Sequence, residues 1–483
     1  MQNSYRQINK YPSLIIIGCS LPFILWVVSD ILPTFDDFTT LQSPQFSSPF
    51  SKELLPNDSF WRPWDYLFGC VLGWNTSLFP ILNHIIIILG HTANSLLIYT
   101  ICRKLDFSTI ACHIATLLFF FSPASLGATL ACDGLNQTYA QFWGLMALWG
   151  FLNHTGKGRI FLWFLCTMIA ALSKENGLAW AVVPPIVSYA FKLIDKKRFL
   201  RYLMIGLSFA AFYFLLRFSF KVSGNINHEY IATSLTDHLK DLIQLLAYNW
   251  LPIDYMSIVY EPERNGLLAA VTLIASLPFL LLLVMRNRTF WKDKTLLLLV
   301  VCFFILASPH LLTLVSIMHN YATLSLTALI AAYLIHRMSH VKWVVPFFSL
   351  FLLAAIFTDI HHTIGAIQSG NLGKKLALEA ISQTNKPIQR ACCISITDDS
   401  VPKYSSFAVR PTEAFAWGLS VRHYNQYAWP AEISFVSLNK ENADDVKHIA
   451  DSLLQSGIEC VWMVNDRQEK VVSLLNNNLS CSY

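Results

Sequence analysis

Apolar runs of roughly 17 to 25 residues, the length a helix needs to cross a hydrocarbon layer, recur along the first three quarters of the 483-residue chain. There are about eleven of them. The first covers roughly Ser13 to Val28, with Arg6 and Lys10 ahead of it and no small-residue cleavage site before the polar stretch that begins at Ser29, so it reads as a retained span. The others start near Leu78, Ser108, Thr138, Ile160, Gly177, Tyr202, Gly266, Thr295, Met318 and Val341. From about Asp359 to Tyr483 the charges become regular and the apolar runs shrink to strand length. Ala391 to Ile396, Ile433 to Leu438 and Cys460 to Val464 have the pattern of strands. Ala443 to Gln455 has helical spacing and stops at Ser456-Gly457. The pattern therefore predicts a polytopic α-helical membrane protein with a small C-terminal α/β domain. The division falls at residues 1–358 and 359–483, with a long loop over 30–76. No internal repeat stands out.

Composition supports the bilayer as solvent: 54% of the residues are hydrophobic and 13% charged, against about 25% charged in soluble domains. The 34 Phe, 18 Tyr and 14 Trp suit lipid-facing rings and interfacial belts. The distribution of charge says more than the net +5. Alternate short loops carry Arg6/Lys10, Arg103/Lys104, Lys157/Arg159, Lys192 with Lys196, Lys197, Arg198 and Arg201, then Arg286/Arg288/Lys292/Lys294, and Arg337/Lys342. Positive loops stay cytoplasmic. The other side holds Asp30, Asp36, Asp37, Glu53, Asp58, Asp65, then Asp133, then Lys174/Glu175, then a longer loop from about Phe218 to Asn265. This expectation makes an integral membrane protein, bacterial inner membrane in kind, with its amino terminus cytoplasmic and its tail periplasmic or lumenal. Four of the eleven cysteines, Cys392, Cys393, Cys460 and Cys481, lie in that tail, so one or two disulfides are expected to be open to it. No Cys-x-x-Cys pairing points to metal, and no nucleic-acid partner is expected.

A transporter, a channel or receptor, and an enzyme acting on membrane-bound substrates all fit such an architecture. Transporters normally carry ionisable groups at mid-membrane or paired interrupted helices, whereas here the polar residues gather at the outer ends of the spans. The first outer loop opens with Asp36-Asp37 close above span one. A carboxylate there can take the proton of an acceptor hydroxyl, and two adjacent carboxylates raise one another's pKa, which suits a general base. The plainer reading is a solvated acidic loop. The same loop continues as Phe60-Trp61-Arg62-Pro63-Trp64-Asp65. Arg62 either offers its planar fork to a phosphate or anchors the interface. His84, His91 and Asn94 share one face of span two, where a functional role competes with helix-to-helix hydrogen bonding. Lys174 of Ser173-Lys174-Glu175-Asn176-Gly177 either neutralises a lipid phosphate, or pairs with Glu175, or snorkels. Pro309-His310 ends span nine and Met318-His319-Asn320-Tyr321 opens span ten, adding donors at the same surface.

These pieces in this order resemble the GT-C superfamily of glycosyltransferases, most specifically the membrane half of the transmembrane tetratricopeptide-containing O-mannosyltransferases and their bacterial relatives. The likeness covers roughly Ile31 to Leu334. It rests on Phe35-Asp36-Asp37, on Trp61-Arg62-Pro63, on His84 and His91 followed by Asn94, and on Lys174-Glu175-x-Gly177. The resemblance implies a GT-C-like fold and an inverting, direct glycosyl transfer of the EC 2.4 class. It implies a polyprenyl-phosphate sugar as donor and one of Asp37 and Asp36 as catalytic base. Arg62, Lys174 and His319 would meet the donor phosphate, with His84, Asp133 and Glu175 completing the substrate site. No cofactor and no metal ligand set is expected, although Asp36, Asp37 and Asp133 together could take a divalent ion. Two features depart from the family: His319-Asn320-Tyr321 stands where Glu-Arg-Tyr is usual, and the tetratricopeptide array is absent. The acceptor is therefore open among protein hydroxyl, lipid and glycan, with membrane lipids as surroundings. A flippase or transporter of a lipid-linked saccharide is the rival reading.

Overall fold

The computed structural model describes residues 12–28, 31, 61–64, 67, 81–131, 134–219, 234–253, 258, 262–287, 289, 292–311, 317–383, 388–398, 410–420, 432–439 and 445–475. Among the described residues thirteen helices make the membrane part: α1 Pro12–Val28, α2 Ile81–Lys104, α3 Thr109–Phe120, α4 Leu126–Thr129, α5 Leu135–Asn153, α6 Gly156–Ser173, α7 Val183–Ala190, α8 Lys196–Ser219, α9 Leu235–Trp250, α10 Pro262–Arg286, α11 Lys294–Leu311, α12 Asn320–His336 and α13 Val344–Ser382. Each of the apolar runs in the sequence has a helix at its place. Among the described residues seven helices are long and apolar enough to cross a membrane, or eight if α3 and α4, bent by 45°, count as one broken span. The shortfall against about eleven has local causes. α1 has only 17 residues. α5 carries Asn136, Gln137 and Gln141 among its buried positions. The run after Gly177 is split into a 3-10 segment, Glu175–Ala181, and the eight-residue α7. Within the expected long loop lies an amphipathic helix, α9, opened by a capping box in which Ser234 and Asp237 satisfy each other's backbone N–H.

The loops rich in lysine and arginine meet at one end of the bundle. His336 Nδ1 accepts from the Ser108 N–H, Lys294 donates to the Tyr189 hydroxyl, and Thr295 donates to the Ala190 carbonyl. Asp293 ties this end together, accepting from Arg337 and from Tyr333 at 2.7 Å each. The opposite end of the bundle carries residues 61–64, 81–84, 121–131, 173–177, 310–311 and 317–319.

The last helix, α13, runs unbroken for 39 residues, about 58 Å at 1.5 Å per residue. It outruns a hydrocarbon layer of about 30 Å and its final turns belong to the tail: Leu376 and Ala380 pack with Phe415 and Trp462. There a four-stranded sheet, β1 Arg390–Thr397, β2 Glu432–Asn439, β3 Cys460–Asn465 and β4 Gln468–Leu475, is ordered β2-β1-β3-β4. β1 is parallel to both neighbours and β4 closes an antiparallel hairpin on β3. α14, Pro411–Ser420, covers one face with α13, and α15, Val446–Gln455, covers the other. α15 ends where Gly457 adopts φ +94°, a conformation that glycine takes without strain. The strands and helix expected from the sequence are all present, and β4 is additional. Cys392, Cys393 and Cys460 are free thiols buried in adjacent strands, and burial pushes Cys393 and Cys460 up to about 12. Cys481 lies outside the described residues.

Candidate functional site

Four segments far apart in sequence converge at the bundle end opposite the basic loops. The first is the short turn at 61–64. The second follows α6, whose last residues run directly into Lys174-Glu175-Asn176-Gly177. The Lys174 N–H still bonds the Ala170 carbonyl at 3.0 Å, and the Gly177 N–H then bonds the Lys174 carbonyl at 2.8 Å, so the chain folds back on the helix it has just left. The third is the end of α11 with His310, and the fourth is the 3-10 turn Ile317–His319 that opens α12. Gly127 in α4 makes room for that turn: a Cβ there would sit 2.5 Å from the Met318 nitrogen.

Arg62 reaches across to Glu175. Nε lies 3.1 Å from both carboxylate oxygens and Nη2 lies 2.9 Å from Oε2, a forked pair between side chains only 22% and 24% exposed. Trp61 stacks on Tyr213 of α8 at 5.5 Å between ring centroids, which fixes the backbone that presents Arg62. The expected aromatic-Arg-Pro element is thus an interhelical brace. Glu175, which the sequence offered as a partner for Lys174, gives both oxygens to Arg62. Lys174 is buried and its Nζ lies 3.4 Å from Asn136 Oδ1. Asn176 donates to Gln137 Oε1 at 3.4 Å and meets His310 Nε2 at 3.2 Å. The rings of His310 and His319 stack at 4.3 Å, and both lie within electrostatic reach of Lys174 and Arg62. The structure therefore gathers Arg62, Lys174, Glu175 and His319 into one cluster. It adds His310, Asn176, Asn136 and Gln137, which no spacing rule ties to the others.

His91 and Asn94 have a different task. His91 Nδ1 and Asn94 Nδ2 each lie 2.9 Å from the Tyr321 hydroxyl. His91 Nε2 lies 3.0 Å from the Phe120 carbonyl, which can only accept, so Nε2 carries the proton and Nδ1 accepts from Tyr321. Asn94 also donates to the Thr138 carbonyl. Four helices are locked together by this network, which is the helix-to-helix bonding open to these residues from the sequence. His84, also buried, hydrogen-bonds the backbone of Ile31 just beyond α1. Asp36, Asp37 and Asp133 lie outside the described residues. Among the described residues no group of three or more His, Cys, Asp or Glu side chains is placed to hold a metal ion.

No family model matches this chain, and neither does any curated protein. Among solved structures a similar one is found. That structure is the crystal structure of ArnT from Cupriavidus metallidurans bound to undecaprenyl phosphate, with 10% identity over 93% of this chain and 92% of that one and a TM-score of 0.45.

Among the described residues Glu175 pairs with Arg62, and Lys174 and two imidazoles stand beside that pair. Burial works to raise the Glu175 pKa, but the Arg62 guanidinium beside it and the hydrogen bonds it gives hold the carboxyl below its usual value. A carboxylate depressed in the folded state contributes stability that is fully present above the unfolded glutamate value of about 4.3 and is lost as pH falls through the lower folded value. The melting temperature in detergent is therefore expected to fall below about pH 4 more steeply in the wild type than in an Arg62→Met/Glu175→Gln variant. Equal acid slopes in the two proteins would show that the pair carries no linked stability. Arg62→Met alone, which strands Glu175 in a partly buried site, should cost about 2 kcal/mol.

Proposed function

We propose that the protein is a membrane glycosyltransferase that moves a sugar from a polyprenyl-phosphate donor to an acceptor at the bundle end opposite the basic loops. The observation that carries this reading is the cationic cluster of Lys174, His310 and His319 at that end, braced by Arg62–Glu175. A buried lysine with two imidazoles beside it is matched by a dianionic phosphate monoester, the group that leaves when a sugar departs from a lipid phosphate. With the basic loops cytoplasmic, the reaction is extracytoplasmic. One of Asp36 and Asp37 takes the acceptor proton as the acceptor oxygen bonds to the anomeric carbon. The bond from that carbon to the phosphate oxygen breaks, and polyprenyl phosphate leaves with the electron pair. The configuration at the anomeric carbon inverts.

Transfer from a radiolabelled polyprenyl-phosphate sugar pool in membranes tests the reading. A charge-assisted hydrogen bond to phosphate is worth about 1.5–3 kcal/mol, so Lys174→Met at matched expression should lose about 10- to 100-fold in kcat/KM for the donor. Wild-type membranes that transfer nothing from any donor pool, or that move the lipid-linked saccharide across the bilayer unchanged, would sink the transferase reading in favour of a flippase.

A further inference from the structure

A second site lies away from the cationic cluster. Between α1, α2, the bent α3–α4 pair and α13 is a cavity of about 510 Å³, within the range of about 300–1,000 Å³ usual for small-molecule sites. Its walls are almost wholly apolar, with Ile16 and Phe23 from α1, Ile88 from α2 and Ile356 from α13. The polar groups in the wall mostly have partners within their own bundle. Ser20, Thr129 and Thr363 donate to carbonyls of their own helices or the preceding turn, and His91 is held by Tyr321 and Phe120. Asp359 is the exception: its Oδ1 is buried and has no hydrogen-bond partner among the described residues. Asp359 lies 15 residues into α13, about 22 Å along it, so it stands in the membrane third nearest the cationic cluster. A carboxyl held there without a partner is costly unless something supplies a donor.

We propose that this cavity binds the alkyl or isoprenoid chain of a lipid whose head group donates a hydrogen bond to Asp359 and carries no negative charge, a hydroxyl- or amine-bearing amphiphile. Two arguments select that chemistry. The described wall of the cavity holds no lysine or arginine to neutralise a phosphate, which has its own cluster of basic residues elsewhere, so the donor lipid is the wrong occupant. The dry walls reject a soluble sugar or peptide. Position then supplies a role. α4 lines the cavity with Leu126 and, through Gly127, rests on the Ile317–His319 turn that carries His319. A head group at Asp359 is thus one helical layer from the cationic cluster. Resting on the transferase reading, the occupant is the sugar acceptor, which makes the acceptor a lipid.

Photolabelling of the full-length protein in phospholipid nanodiscs tests this without any sugar donor. A diazirine-bearing long-chain alkylamine, the corresponding alcohol and the corresponding alkyl phosphate are compared, with the labelled peptides mapped. Amine or alcohol labels are expected in residues 16–28 and 356–364, reduced at least tenfold by Asp359→Leu and by the cavity-filling Ser20→Trp. The phosphate probe should label poorly in the wild type and better in Asp359→Asn. Equal labelling by phosphate and amine, or labelling indifferent to both Asp359→Leu and Ser20→Trp, would overturn the proposal. Asp359→Asn, which keeps the size of the side chain, controls for folding. In transfer assays Asp359→Asn should raise the acceptor KM and leave the donor KM unchanged. Cavity labelling with an unchanged acceptor KM overturns the acceptor role. Cavity labelling in a protein that transfers no sugar supports the lipid site while defeating the transferase reading.

Discussion

Asparagine in place of Asp37, or of Asp36, is expected to lower sugar transfer by about 10²- to 10⁴-fold, the contribution of a well-placed general base, with the melting temperature unchanged. The amide keeps the shape of the carboxylate but cannot take a proton, so a base is lost without a packing change. Whichever substitution causes the loss identifies the base. The described residues supply an anchor for this loop. Ile31 is buried and its backbone is held by His84 near the start of α2. Asp36 follows Ile31 by five residues, a reach of at most about 18 Å even for fully extended chain. If the pair supplies the base, His84→Phe should reduce kcat by a smaller factor by loosening the anchor at Ile31. Transfer rates and melting curves of the four proteins, measured at matched expression, decide the matter. Full activity in both asparagine variants would place the base elsewhere.

How much of this was legible in the sequence depends on the range of the interaction concerned. The spans, their alternation and the three strands of the tail are local patterns of apolar residues, and each has its element in the structure. The expected division at Asp359 falls inside α13, because His361, His362, Gln368, Ser369 and Gly370 break the apolar run although the helix continues. β4 escaped notice since Gln468–Leu475 opens on three polar residues and follows β3 through Asp466-Arg467, a turn without glycine or proline. In the site, the spacing of seven positions from His84 to His91 announces a shared helix face. Nothing announces that Tyr321, 230 residues beyond His91, completes the network. Likewise the short-range partner on offer for Glu175 was its neighbour Lys174, whereas the fold supplies Arg62, 113 residues away. That exchange of partners changes the local chemistry: both oxygens of the glutamate are given to the arginine, and the lysine Nζ lies by Asn136.

Alanine at Gly177 is expected to cost more than 3 kcal/mol and to abolish transfer, although it adds only a single methyl group. A Cβ at 177 would lie 2.3 Å from both the carbonyl carbon and the oxygen of Ala170. These are backbone atoms of α6, and that oxygen already accepts the Lys174 N–H, so no side chain can rotate aside. Relief requires lifting the whole 174–177 turn, which parts Glu175 from Arg62 and Lys174 from Asn136 together. The backbone angle at Gly177 is not the cause, since only Gly156 and Gly457 among the described glycines have positive φ. Gly158, near the start of α6 with open space where its Cβ would stand, provides the contrast. Gly158→Ala should be neutral or stabilising by up to about 1 kcal/mol, the helix preference of alanine over glycine. Thermal unfolding in detergent and donor transfer read both variants, and wild-type values for Gly177→Ala would refute the turn as the element that aligns the phosphate site. The combination Gly177→Ala/Ala170→Gly should fail as badly as the single change, because the obstructing atoms at position 170 belong to the carbonyl group that every residue carries.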